Sequence, residues 1–204
     1  LPEIARHELH SLERLHRHAF GGIDARRIDI LMGTLSKSLA SCGGYIAGSA
    51  ALVEYLKYTS PGFVFSVGLS AGDAAAALAA LHKLEAEPER VAQLHERAAQ
   101  FLALCREAGL DTGASAGTPV VPVIVGESLR AVRLSAMLFD AGLNVQPMVA
   151  PSVADDQARL RFFVASTHTD AQLRAAVEAT RRALAEMDRD AGLAGAGAGR
   201  SAGE

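Results

Sequence analysis

Residues 119 to 126, PVVPVIVG, form a short run dominated by valine and isoleucine and closed by glycine, the pattern of a strand. Beyond Gly126 the hydrophobic period changes. From 128 to 141 the pattern is that of a helix closed by Gly142, LNVQPMV is extended again, and ARLRFFVAS is a further strand. Thr169 and Gln172 stand in capping-box spacing and open a final helix that buries Leu173, Ala176, Val177, Thr180, Leu184 and Met187. Strands alternating with helices point to an α/β fold.

The front half shows a looser version of this alternation. Ala5, Leu9, Leu12 and Leu15 lie at helical spacing among charged residues. A strand is expected over Ile28–Met32, a second in GGYIAGS, and a brief helix over 50–57. SPGFVFSVGLS, punctuated by Pro61 and Gly62, reads as a loop or short strand. From Ser70 a long alanine-rich helix stops before Pro88, which suits the first turn of a new helix. That helix carries the stripe Val91, Leu94, Ala98, Phe101, Leu102 and Cys105 and ends at Gly109. The break near residue 87 divides the chain. The expected organisation is a helical lead-in over 1–20, one domain over 21–87, a small α/β domain over 88–188 and a disordered tail over 189–204.

Bulk properties narrow the function classes. A formal charge of −3 provides no basic field, which argues against nucleic acid as a partner. Cys42 and Cys105 lie far apart without CxxC spacing, so free thiols and a reducing, cytoplasmic location are expected. No apolar run reaches membrane-spanning length, so no membrane partner is expected. The opening at Leu1 instead of methionine suggests a fragment or a processed chain. His7, His10, His16 and His18 crowd the first helix, but no carboxylate or cysteine partner is placed to complete a metal site, and none is expected.

The residue that asks for an explanation is Lys37, set among Gly, Ser and Thr in ILMGTLSKSLASCGGYIAGS. A lysine here is either a solvated loop residue or a nucleophile aimed at a carbonyl, which requires desolvation or a neighbouring positive charge. A nucleotide-type phosphate loop is excluded by spacing, because Ser36 and not glycine precedes the lysine. Thr34, Ser36 and Ser38 offer hydroxyls beside the amine, and Gly33 permits close backbone approach.

The segment DILMGTLSKSLASCGGYIAGS resembles the lysine segment of the α-oxoamine synthases, fold-type-I enzymes that use pyridoxal 5'-phosphate. The likeness continues in order through HAFGGIDARRIDI, FVFSVGLS, GTPVVPVIVG, AGLNVQPMVAPSV and ARLRFFVASTHTDAQL, about residues 18 to 187. It implies the C-terminal half of such an enzyme: the end of the cofactor-binding large domain plus the small C-terminal α/β domain. It further implies that Lys37 holds the cofactor covalently and moves the substrate α-proton, and that Thr34 binds the cofactor phosphate. Ser66 would reach the phosphate of the neighbouring subunit of a homodimer, and Arg161 would clamp an amino-acid carboxylate. The reaction implied is a decarboxylating condensation of an amino acid with an acyl-CoA or acyl-carrier thioester.

The residues themselves leave alternatives beside each role. Ser66 also fits an ordinary turn. Arg161 in an apolar strand needs a partner, and composition alone favours a structural Asp or Glu. Arg159 alternates onto the same face, so pattern alone does not separate the two. His168 is read as structural, and His82 and His95 as surface residues. The family's ring-stacking histidine and its ring-nitrogen aspartate have no counterpart here, and SVGLSA stands where the family has a proline-rich ending. A non-catalytic dimerisation or regulatory partner of an intact homologue, and another fold-type-I reaction such as transamination, are the competing expectations.

Overall fold

The computed structural model describes residues 27–198. The chain divides into two compact units, Leu1–Pro88 and Glu89–Glu204. The histidine-rich opening and the 1–20 lead-in lie outside the described residues.

In the first unit, β1 (Ile30–Thr34) pairs antiparallel with β2 (Gly44–Gly48), with Met32 opposite Ile46 and Thr34 opposite Gly44. The β1 strand lies later than the expected Ile28–Met32, because pairing with β2 carries the ladder to Thr34. Gly33 faces Tyr45 in this register, and the tyrosine ring lies across it, so a Cβ at position 33 would collide with the ring. Three helices follow among the described residues: α1 (Ala50–Thr59), the single turn α2 (Pro61–Val64) and α3 (Ala71–Ala86). The expected loop or strand at 61–64 is thus a helical turn. Pro61 sits at its start, where a missing N–H costs nothing, and Val64 N donates to Ser60 O. Leu35 and Leu39 form a small core with Ala77 and Leu81 of α3.

The second unit is built on a three-stranded antiparallel sheet in the order β3 (Val120–Gly126), β5 (Ala158–Phe163), β4 (Gln146–Met148). The helices are α4 (Glu89–Glu107), α5 (Ser128–Asp140) and α6 (Asp170–Ala198). Burial alternates along the central strand: Ala158, Leu160 and Phe162 are buried, Arg159 and Arg161 only partly. The inward set joins Phe101, Cys105, Val121, Val123, Leu134, Leu138, Leu173, Val177 and Met187 in one core. The other face is left to the arginines.

Two helix ends follow the glycine rule closely. Gly109 and Gly142 adopt φ of 73° and 85°, and the chain closes by Leu110 N to Cys105 O at 2.9 Å and Leu143 N to Leu138 O at 2.8 Å. The opening of α6 is a reciprocal cap, with Thr169 N donating to Gln172 Oε1 and Gln172 N to Thr169 Oγ1. Its far end departs from expectation. The helix does not stop at Met187 but continues through Ala198, across the first part of the segment expected to be a disordered tail. Arg130 and Arg133 of α5 pair with Asp188 and Asp190 at 2.6 and 2.5 Å, which ties the added turn to its neighbour. Among the described residues no helix is long and apolar enough to cross a membrane.

Candidate active site

The loop between β1 and β2 closes upon itself. Leu35 N donates to Gly43 O at 2.9 Å, Ser41 N to Leu35 O at 2.9 Å, and Ala40 N to Lys37 O at 3.0 Å. Gly43 has φ of 104°, which glycine adopts without strain. Leu35 and Leu39 turn inward onto α3, so the intervening Ser36, Lys37 and Ser38 are left outward and exposed.

That outward turn gathers polar groups. The Thr34 and Ser36 hydroxyls lie 2.8 Å apart, Ser36 N donates to Thr34 Oγ1 at 3.2 Å, and Lys37 Nζ donates to Ser36 Oγ at 3.3 Å. The sequence holds three lysines, and the other two are ion-paired: Lys57 with Glu54 at 3.2 Å and Lys83 with Glu87 at 2.6 Å. Lys37 instead donates to a neutral hydroxyl. Its amine is therefore not held by a carboxylate among the described residues, and it stands beside two hydroxyls suited to a phosphate. An aldehyde carrying a phosphate fits this donor set: an amine for the carbonyl, and Thr34 and Ser36 for the anion.

Ser66 lies just after α2. Its hydroxyl donates to Phe63 O at 3.2 Å and accepts from Gly68 N at 3.4 Å, so within its own chain it is an exposed turn residue. Around it Phe65 is 87% and Val67 105% exposed, part of an uncovered apolar run that also takes in Phe63, Val64 and Leu69.

In the second unit the structure separates the two arginines that alternation could not. Arg159 Nε donates to Gln157 O at 2.8 Å. Arg161 Nε is buried and has no hydrogen-bond partner, while its guanidinium stands 5.3 Å from the Phe163 ring centroid. No carboxylate among the described residues pairs with Arg161, so the structural Asp or Glu alternative is not met there. An unpaired buried guanidinium donor is costly, and it marks a place where an anion would be stabilised. His168 accepts at Nδ1 from Ala165 N at 3.1 Å, which closes the turn before α6, and His82 and His95 are exposed. Among the described residues no group of three or more His, Cys, Asp or Glu is placed to hold a metal ion.

One group near the lysine loop was missed by sequence reading. Asp73, in the first turn of α3, reaches back to Ser41 and Cys42, and Ser70 and Cys42 hold its carboxyl below the ordinary aspartate range. The spacing Ser70-x-x-Asp73 before an apolar run was the available signal. Burial pushes the Tyr45 phenol up.

Known proteins resemble this chain over most of its length. An 8-amino-7-oxononanoate synthase of Symbiobacterium thermophilum is 40% identical over 172 residues, 84% of this chain and 42% of the relative. A serine palmitoyltransferase of Bacteroides thetaiotaomicron is 32% identical over 92% of this chain and 51% of its own length. The chain thus spans about half the length of the curated relatives it matches. The solved structure of Sphingomonas wittichii serine palmitoyltransferase superposes with a TM-score of 0.72 at 25% identity, covering 79% of this chain and 41% of that one. The fold is accordingly α/β of the fold-type-I transferase kind. Residues 17–179 match the family model for aminotransferase class I and II, and the chain belongs to that family.

Proposed function

We propose that this chain is the C-terminal half of a pyridoxal 5'-phosphate-dependent acyltransferase that joins an amino acid to an acyl-CoA or acyl-carrier thioester with loss of carbon dioxide. The observation that carries the reading is the Lys37 amine. Within this chain it is exposed on a closed loop and bonded to Ser36, which is bonded in turn to Thr34, and the desolvation a reactive amine needs falls to the bound cofactor and the rest of the enzyme. The bound cofactor supplies an aldehyde for the amine and a ring that takes up the electron pair released at the substrate α-carbon.

Within this reading each side chain has one task. Lys37 anchors the cofactor and then carries the proton at the α-carbon. Thr34 donates its hydroxyl to the phosphate. Arg161 turns its unpaired Nε and the rest of its fork toward the amino-acid carboxylate. Ser66 reaches the phosphate of a second copy in a homodimer, and the uncovered Phe65 and Val67 beside it support a protein surface meeting this segment. The large-domain end lies in 21–87 and the small domain in 88–188. Two distant thiols support action in the reducing cytoplasm.

The experiment uses the full-length protein with amino acids and acyl-CoA esters, monitoring release of free thiol. Thiol release that vanishes in Lys37→Ala is the expected result. Failure to release thiol across a broad panel refutes the acyltransferase reading, and formation of a 2-oxo acid without carbon–carbon bond formation reassigns the protein to transamination.

A further inference from the structure

The lysine loop is fastened to helix α3 at two places, and only one of them is apolar. Leu35 and Leu39 pack on Ala77 and Leu81. Beyond Lys37 the second fastening is polar. Ser41 Oγ donates to Asp73 O at 2.6 Å, and Asp73 Oδ1 faces Cys42 N at 3.4 Å and Ser41 Oγ at 3.5 Å. The other carboxylate oxygen accepts from Ser70 Oγ at 2.6 Å, while Asp73 N donates back to Ser70 Oγ at 3.0 Å. One half-buried carboxylate thus joins three stretches: the end of the lysine loop, the start of α3, and Ser70, which closes the segment that carries Ser66.

We propose that Asp73 is a positioning residue for Lys37. It touches neither the amine nor the hydroxyls beside it. It acts through Ser41 and Cys42, the residues that bring the loop back to β2 and so fix the direction in which Ser36 and Lys37 project. The apolar fastening alone leaves the loop free to pivot about Leu35 and Leu39, because side-chain packing sets distance more strongly than rotation. The bond from Ser41 Oγ to the Asp73 main-chain carbonyl holds one point of the returning loop whatever the side chain, and the bond from the Cys42 N–H to the carboxylate adds the second point that removes the rotation. Ser70 already caps α3 by accepting from Asp73 N, so the helix keeps its cap when the carboxylate is removed. The inference rests on Lys37 being the reactive amine.

The test uses the full-length protein as wild type, Asp73→Ala and Asp73→Asn. Amide hydrogen exchange is measured over 35–43 and over 74–86. In parallel the protein is incubated with pyridoxal 5'-phosphate, reduced with borohydride, and the label at Lys37 is measured against Lys57 and Lys83. In Asp73→Ala, exchange over 35–43 is expected to accelerate about ten-fold and labelling of Lys37 to fall about five-fold, with 74–86 unchanged within about two-fold. Asp73→Asn, whose amide oxygen still accepts from Cys42, is expected to restore both. Unchanged exchange over 35–43 overturns the proposal, and so does equal acceleration over 74–86, which would make Asp73 a helix cap only. Wild-type labelling no greater at Lys37 than at Lys57 and Lys83 overturns the functional reading instead. The exchange measurement stands apart from it.

Discussion

Arg161 and Arg159 lie on one face of one strand, yet replacing each by methionine should move stability in opposite directions. Arg161 Nε is buried without an acceptor, and a buried donor left unsatisfied costs about 1–3 kcal/mol. Its contact with Phe163 returns about 0.5–1 kcal/mol. Methionine keeps the aliphatic stem against the sheet and removes the orphaned donor. The net expectation for Arg161→Met is a gain of about 1 kcal/mol, or about 4 °C in Tm for a unit of this size. Arg159→Met removes the bond from Nε to Gln157 O and should lose about 0.5–1.5 kcal/mol. Urea unfolding of the 204-residue chain and of both variants, monitored by far-UV circular dichroism, measures the two differences at equal m-value. A loss of more than about 1 kcal/mol in Arg161→Met would refute the reasoning, since it would mean that the guanidinium has a structural partner and is not held ready for a carboxylate.

The packing and charge of the second unit, together with the two thiols, give three further outcomes. Leu160→Ala, at a fully buried position in the central strand, should cost about 2–5 kcal/mol in the same unfolding assay. An aromatic disulfide reagent should modify exposed Cys42 in the native protein and reach Cys105 only on unfolding, because burial encloses that thiol and pushes it up to about 12. Hydrogen bonds from Arg181 and Arg182 lower the Glu178 carboxyl to about 2 from an ordinary 4.5. Its contribution is therefore complete above pH 4.5 and is lost as pH falls toward 2, so Glu178→Gln should flatten the stability profile in that window.

Much of the second unit was legible before any coordinates because its signals are local. A glycine at positive φ ends a helix wherever it stands, and the Thr169–Gln172 cap involves residues one turn apart. The lysine segment was legible for a related reason: Thr34, Ser36 and Lys37 are sequence neighbours, and their mutual contacts need only one tight loop. The tertiary structure decided what depends on residues distant in sequence. The β1 strand reaches Thr34 because β2 is there to pair with it, and α6 passes Met187 along a path where Arg130 and Arg133 meet its aspartates. Arg159 and Arg161 share a pattern, and only the placement of Gln157 and the surrounding backbone leaves one satisfied and the other without a partner. Asp73 reads in sequence as a cap residue and becomes a brace only when the lysine loop folds back onto α3. Local chemistry is written in spacing along the chain. Which polar group remains unpaired is a property of the packed whole, because it depends on every neighbour that folding brings within hydrogen-bond reach.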